Sequence, residues 1–143
     1  MERGAQMNKI LLQGRKVYGG SAEGEALVTK DALGGFGCFD FRTGKVIDFG
    51  HDWYGENITG KILVFKTGKG SSAWSIAHQA LCFLGTSPKA YITKECNPQI
   101  ALGAAVTRIP SISDFDDDPT EVISTGDWVK VDADKGLLEI TKK

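Results

Sequence analysis

The sequence predicts an α/β domain on a mixed sheet, and three observations predict it. Lys61-Ile62-Leu63-Val64-Phe65 is an apolar run of strand length that breaks at Lys66-Thr67-Gly68-Lys69-Gly70. The segment after it carries Ala73, Ile76, Ala77, Ala80, Leu81 and Leu84, which share one face of a helix with a 3.6-residue period, and Gly85 ends the pattern. Lys89-Ala90-Tyr91-Ile92-Thr93-Lys94 reads as the next strand, so residues 61–95 form a βαβ unit.

The other elements are placed around that unit. Met1 to Asn8 reads as a disordered leader and residues 9–143 as one domain, because a chain of 143 residues supports a single core. Lys9 to Tyr18 is expected as a first strand ending at Gly19-Gly20, and Gly24-Glu25-Ala26-Leu27-Val28 as a second. Leu33-Gly34-Gly35-Phe36-Gly37-Cys38-Phe39-Asp40 follows neither a helical nor a strand period; glycine- and aromatic-rich loops of this kind often carry function. Thr43-Gly44 is a turn, Lys45 to Asp48 a short strand, and Phe49 to Asn57 a second polar and aromatic loop. Asn97-Pro98 opens a second helix, Gln99 to Thr107, with proline in the first turn and with Ala101, Ala104 and Ala105 small enough for close packing on a sheet. Ile109 to Ile112 is a short strand and Asp114 to Asp118 an acidic loop. Trp128 to Asp132 and Leu137 to Ile140 form a hairpin around Ala133-Asp134-Lys135-Gly136. The expected order is early strands, a central βαβα unit and a C-terminal β-hairpin.

Composition narrows the function classes. Seventeen basic and eighteen acidic side chains give a formal charge of −1, which offers no electrostatic case for nucleic acid or an acidic membrane and favours a small or discrete partner. No window approaches the ~18 consecutive apolar residues of a membrane helix, and the first residues lack the apolar core of a signal peptide, so a cytoplasmic protein is expected. Cys38, Cys82 and Cys96 are odd in number, far apart and without a C-x-x-C pair, which indicates neither a disulfide framework nor a self-contained zinc or iron–sulfur site. Cys82 lies beside the apolar helix face and is expected in the core, whereas Cys38 and Cys96 fall in loops.

Three chemistries compete for Gly68-Lys69-Gly70-Ser71-Ser72-Ala73. A dinucleotide fingerprint fits the letters, with Glu95 ending the next strand, but Glu95 comes too late and several elements precede the supposed first strand. A P-loop fails because Gly70, not Ser or Thr, follows Gly68-Lys69. The third possibility is a serine at the helix start acting as a base, its alkoxide stabilised by outward N–H groups and the positive end of the helix dipole, with Lys69 adding charge. On pattern alone Ser71 and Ser72 are better explained as helix N-caps. His78 lies seven residues beyond Ser71, about 10 Å along the helix, and reads as a surface histidine. His51-Asp52 is another candidate acid/base pair, though a structural loop explains it as well. Asp116-Asp117-Asp118 could suggest a hard metal but is better read as a solvated loop.

Taken together the motifs resemble a known family. Gly70-Ser71-Ser72, the helix with His78 and Ala80, and the strand Ala90 to Lys94 resemble the swivel domain of the aconitase superfamily. Gly24 to Val28, Thr43 to Asp48, His51 with Tyr54-Gly55, Gly60-Lys61, Gly68 to Ser72, Leu84 to Pro88, Ala101 to Ala104 and Ile109-Pro110 are similar to the small subunit of aconitase X. The resemblance covers residues 9–140. It implies a swivelling β/β/α domain that is half of a hydro-lyase, active only with a larger subunit in a heterodimer or higher assembly. That partner would hold an iron or iron–sulfur centre, with no metal ligand set on this chain. It implies Ser71 as the catalytic base and Gly70, Ser72, Lys69 and His51 as substrate-binding residues for a small hydroxy acid.

Ala73 stands where classical aconitases carry an arginine for a tricarboxylate, which argues against citrate. Of the family's activities, dehydration of cis-3-hydroxy-L-proline is expected ahead of mevalonate 5-phosphate, because the Ser71-Ser72 pair looks more like the amino-acid enzymes. A non-catalytic binding or carrier module of the swivel type is the competing class; a phosphohistidine carrier would need a histidine where Ser71 stands. The family's aromatic-glycine-glycine loop reads Phe36-Gly37-Cys38 here, which leaves open whether Cys38 fills space or reaches toward the metal.

Overall fold

The computed structural model describes residues 9–143; the leader expected over residues 1–8 lies outside the described residues. The described residues form ten strands and three helices. They are β1 Lys9–Gln13, β2 Arg15–Tyr18, β3 Ser21–Val28, β4 Phe39–Asp40, β5 Lys45–Val46, β6 Ile62–Phe65, α1 Trp74–Phe83, β7 Ala90–Thr93, α2 Pro98–Thr107, β8 Ser111–Ser113, α3 Pro119–Val122, β9 Trp128–Asp132 and β10 Leu137–Thr141. Eight strands make one sheet in the order β1-β10-β9-β3-β6-β7-β8-β2, and β4 and β5 pair separately. The strands β3, β6, β7 and β8 run parallel; the other pairs are antiparallel.

Strand alternation divides the interior into two layers. Every residue of β6 and of β7 is buried, as expected of strands covered on both faces. Ile62, Val64, Ala90 and Ile92 point one way and join Leu12, Ile112, Val129, Val131, Leu138 and Ile140 between the two halves of the sheet. Leu63, Phe65 and Tyr91 point the other way and join Trp74, Leu81 and Ile100 beneath the helices. Strand β3 serves both halves, pairing β9 through Ser21 to Glu25 and β6 through Ala26 to Val28. The result is the expected β/β/α layering on a mixed sheet with a C-terminal hairpin.

The expected first strand over residues 9–18 is instead two strands that lie at opposite edges of the sheet. The chain turns a corner at Gly14, where an added Cβ would stand 2.7 Å from Phe115 Cδ1 and 2.8 Å from Ile112 Cγ2. Glycine therefore lets one continuous segment close both edges. Helix α3 was not expected; Asp118, read as part of a solvated acidic loop, starts it by accepting from the Thr120 N–H at 2.9 Å. Helix α2 begins as its Asn97-Pro98 signal predicts, with Asn97 Oδ1 accepting from the Ile100 N–H. Only Gly103 and Ala104 of its small-residue stretch turn inward, while Ala101 and Ala105 are exposed. Among the described residues no helix is long and apolar enough to cross a membrane.

The buried face of α1 differs from the periodic apolar one. Ala77 and Leu81 are buried as expected, but Ile76 is 59% and Leu84 54% exposed. Trp74, Ser75 and His78 are buried in their place. Trp74 decides the rotation, since its large ring fills the gap between α1 and α2 against Gly103. His78, read from the sequence as a surface residue, is wholly enclosed: it stacks on Trp74 with ring centroids 3.5 Å apart and meets Phe39 edge-on. Burial lowers its pKa to about 3, against which the bond to the Gly34 carbonyl acts weakly in the other direction.

Two outcomes follow from this packing. A Cβ at residue 103 would meet Trp74 Cε3 at 2.6 Å, so Gly103→Ala should cost about 1–3 kcal/mol by overpacking, read as a lower urea midpoint at unchanged slope; an unchanged midpoint would contradict the packing. His78 is neutral when folded, so its contribution is fully present above the unfolded value of about 6.5 and is lost as pH falls towards the folded value of about 3. Urea unfolding compared at about pH 7 and about pH 5 should show a larger loss of stability in the wild type than in His78→Gln. Equal losses would mean that His78 takes up its proton in the folded chain.

Candidate active site

Three of the five candidates that the resemblance implies, Lys69, Gly70 and Ser71, line one depression of about 380 Å³, formed by the loop Gly34 to Cys38 on one side and by Lys69, Gly70, Ser71, Ala73 and Trp74 on the other, with Asp48 at its edge. Topology puts it there. Lys69 to Ser71 leave the end of β6, and ligands of parallel sheets bind beyond the carboxyl ends of the strands.

The Ser71 turn is built from backbone constraints. Gly70 has φ +100°, in the left-handed region that favours glycine. Ser71 Oγ accepts from the Ala73 N–H at 3.2 Å, and the Ser71 carbonyl accepts from the Trp74 N–H at 3.1 Å. Helix α1 starts at Trp74, with Ala73 at the capping position and no side-chain cap. Neither serine is therefore the N-cap that the pattern favoured; Ser71 makes a short serine turn two residues before the capping position. The first-turn N–H groups of α1 have no side-chain cap, which favours negative charge at this end of the helix.

The two serines face different surroundings. Ser71 lines the depression, whereas Ser72 faces a smaller groove with Pro98, Gln99 and Leu102. Lys69 is half exposed, its Nζ 4.0 Å from Asp48 Oδ2, a long pair that leaves the ammonium available to an anion. His51 is only 4% exposed and does not line the depression. Its Nδ1 accepts from the Trp53 N–H at 3.0 Å, so Nε2 carries the proton and donates to the Ala32 carbonyl at 3.0 Å. Both ring nitrogens are thus occupied in holding the loop over residues 49–57 against the chain.

Sequence reasoning missed the residues that brace the site. Asn97 Nδ2 donates to the Gly68 carbonyl at 2.7 Å and Gln99 Nε2 to the Gly70 carbonyl at 2.8 Å, tying the serine turn to the start of α2. Trp74 Nε1 donates to the Leu33 carbonyl at 2.9 Å from the opposite side. The Asn97-Pro98 pair signalled a helix start, but nothing local signals a bond across 29 residues.

Cys38 is 2% exposed in the core beneath the depression, and burial raises its thiol to about 11, with the Gly34 backbone bond and Lys69 opposing. A metal ligand must be a thiolate, so this environment suits packing better than coordination. Among the described residues no three His, Cys, Asp or Glu side chains gather into a metal-holding group. The described side chains therefore do not by themselves fit an iron or iron–sulfur centre.

Comparison with known proteins identifies the family. The family model of the aconitase X swivel domain matches residues 11–140. A phosphomevalonate dehydratase small subunit from Methanocella arvoryzae is 39% identical over 130 residues, covering 91% of this chain and 98% of its own. One from Methanococcoides burtonii is 42% identical over 134 residues, covering 94% and 98%. The crystal structure of Thermococcus kodakaraensis aconitase X in its holo-form superposes with a TM-score of 0.86 at 42% identity, over 92% of this chain and 98% of that one. The names of these two relatives specify phosphomevalonate, which the Ser71-Ser72 pair places second. With the layering, the serine turn and the matched length in agreement, the chain belongs to the aconitase X swivel-domain family.

Proposed function

We propose that this chain is the small subunit of a phosphomevalonate dehydratase, a hydro-lyase that removes water from mevalonate 5-phosphate in complex with a large subunit. The observation that carries the substrate is the name shared by relatives 39% and 42% identical over nearly the whole chain. It reverses the order expected from the serine pair. An anionic substrate fits Lys69, the uncapped start of α1 and the glycine-rich backbone opposite, with Asp48 the one carboxylate at the edge, 4.0 Å from Lys69 Nζ.

In this reading Ser71 is the base. Its alkoxide takes the proton from the carbon beside the substrate carboxylate, the C–H pair becomes the new C=C bond, and the hydroxyl on the next carbon departs as hydroxide, to which the proton taken up by Ser71 is returned, giving water and restoring the alkoxide. The α1 N-terminus and Lys69 lower the cost of the serine anion. Gly70 and the braces from Asn97 and Gln99 hold the turn in place before substrate arrives. Ser72 bounds the site toward α2 and is the weaker candidate for substrate contact; His51 acts through the shape of its loop. The iron or iron–sulfur centre implied by the family belongs, in this reading, to the large subunit, since no set for it forms among the described residues.

The test is co-expression with the large subunit, anaerobic purification with iron, and parallel assays of water loss from mevalonate 5-phosphate and cis-3-hydroxy-L-proline. Turnover of the phosphate is expected, with kcat reduced about 100-fold or more in Ser71→Ala while the complex still forms. Turnover of cis-3-hydroxy-L-proline instead would overturn the substrate. Equal rates for wild type and Ser71→Ala would move the base to the partner.

A further inference from the structure

His78 has no place in the chemistry above, yet its hydrogen bonds run straight to the pocket wall. Its Nε2 lies 3.0 Å from the Gly34 carbonyl and its Nδ1 2.7 Å from the Tyr91 hydroxyl. A carbonyl only accepts, so Nε2 carries the proton and donates, and Nδ1 accepts from Tyr91. Tyr91 is anchored in β7 between Leu63 of β6 and Ser111 of β8, in the most enclosed part of the sheet. One turn before His78, Trp74 stacks on the imidazole and donates to the Leu33 carbonyl, which also accepts from the Lys69 N–H at 3.0 Å. Two successive carbonyls of the glycine loop are thus held by two side chains of α1. The loop passes so close over the helix that a Cβ at Gly35 would lie 3.1 Å from both Ala77 Cβ and the Trp74 backbone.

We propose that His78 is a positioning residue for the active site, which through Gly34 sets the Gly34 to Cys38 wall of the depression against the Ser71 turn, with Tyr91 as its anchor in the sheet. Its catalytic consequence rests on the Ser71 reading; the hydrogen-bonded path itself does not. Histidine suits the position because a neutral imidazole donates from one edge, accepts at another, and is flat enough to stack on Trp74. Phenylalanine would keep the stack and lose both bonds. Glutamine would keep a donor and an acceptor.

The experiment compares His78→Phe, His78→Gln and Tyr91→Phe in two settings. In the chain alone, amide spectra and hydrogen exchange of residues 34–38 report the wall directly. Shifted resonances and faster exchange are expected in His78→Phe and Tyr91→Phe, and less change in His78→Gln. In the complex with the large subunit, kcat/KM for the phosphorylated substrate should fall about 10-fold or more in His78→Phe, mainly through kcat, with partial rescue in His78→Gln. Unmoved amides, or kcat and KM equal to wild type while only Tm falls, would overturn the proposal and leave His78 a core residue. Should His78→Phe not fold, Tyr91→Phe and His78→Gln supply the same two readouts. Full activity in Ser71→Ala would fault the Ser71 reading instead, and the amide measurements would still decide whether the wall depends on His78.

Discussion

Strands β6 and β7 are apolar on both faces, and burying both faces at once is the constraint from which the rest of the architecture follows. One face needs a second layer of sheet, supplied by β1, β10 and β9 curling back over it. The other needs helices, and parallel neighbours require crossover connections long enough to contain them. Helices α1 and α2 fill that layer, each leaving the carboxyl end of one parallel strand and returning to the next. The serine turn sits where β6 hands over to α1, so its place is a consequence of how the core is covered.

Closing the two sheet halves depends on the corner at Gly14. The segment before it pairs with β10 and the segment after it with β8. The Gly14 N–H donates to the Gly136 carbonyl at 2.8 Å and the Gln13 carbonyl accepts from the Asp116 N–H at 3.0 Å, so these two backbone groups at the corner keep partners. A side chain at the corner would strike Phe115 and Ile112, which pack against or within the inter-sheet layer.

The depression combines a rigid base with charge kept to its rim. Beneath it lie Trp74, neutral His78, protonated Tyr91 and protonated Cys38, all enclosed and all held in their uncharged forms or free of charge altogether. Lys69 and Asp48 supply the opposite charges at its edge. In the proposed function, the helix start and the lysine would act on an incoming anion without a buried counter-charge competing from below.

The sequence by itself determined the strand, glycine turn, helix and strand around Ser71, the second helix with its Asn97-Pro98 start, and the C-terminal hairpin, because hydrophobic period, capping and turn chemistry are local. The motif combination was enough to point to the family. Only the tertiary structure decided that Lys9 to Tyr18 breaks into strands on opposite edges, since β1 pairs with β10 and β2 with β8, and the room that makes glycine necessary at the corner is taken by Phe115 and Ile112, far away in sequence. It alone turned α1 so that His78 faces inward and Ile76 outward, because the contest between those faces is settled by how Trp74 fits Gly103 and how the imidazole finds Tyr91 and Gly34. It also withdrew His51 from the depression and separated Ser71 from Ser72. Adjacent letters say nothing about which surfaces they will share once the chain has packed.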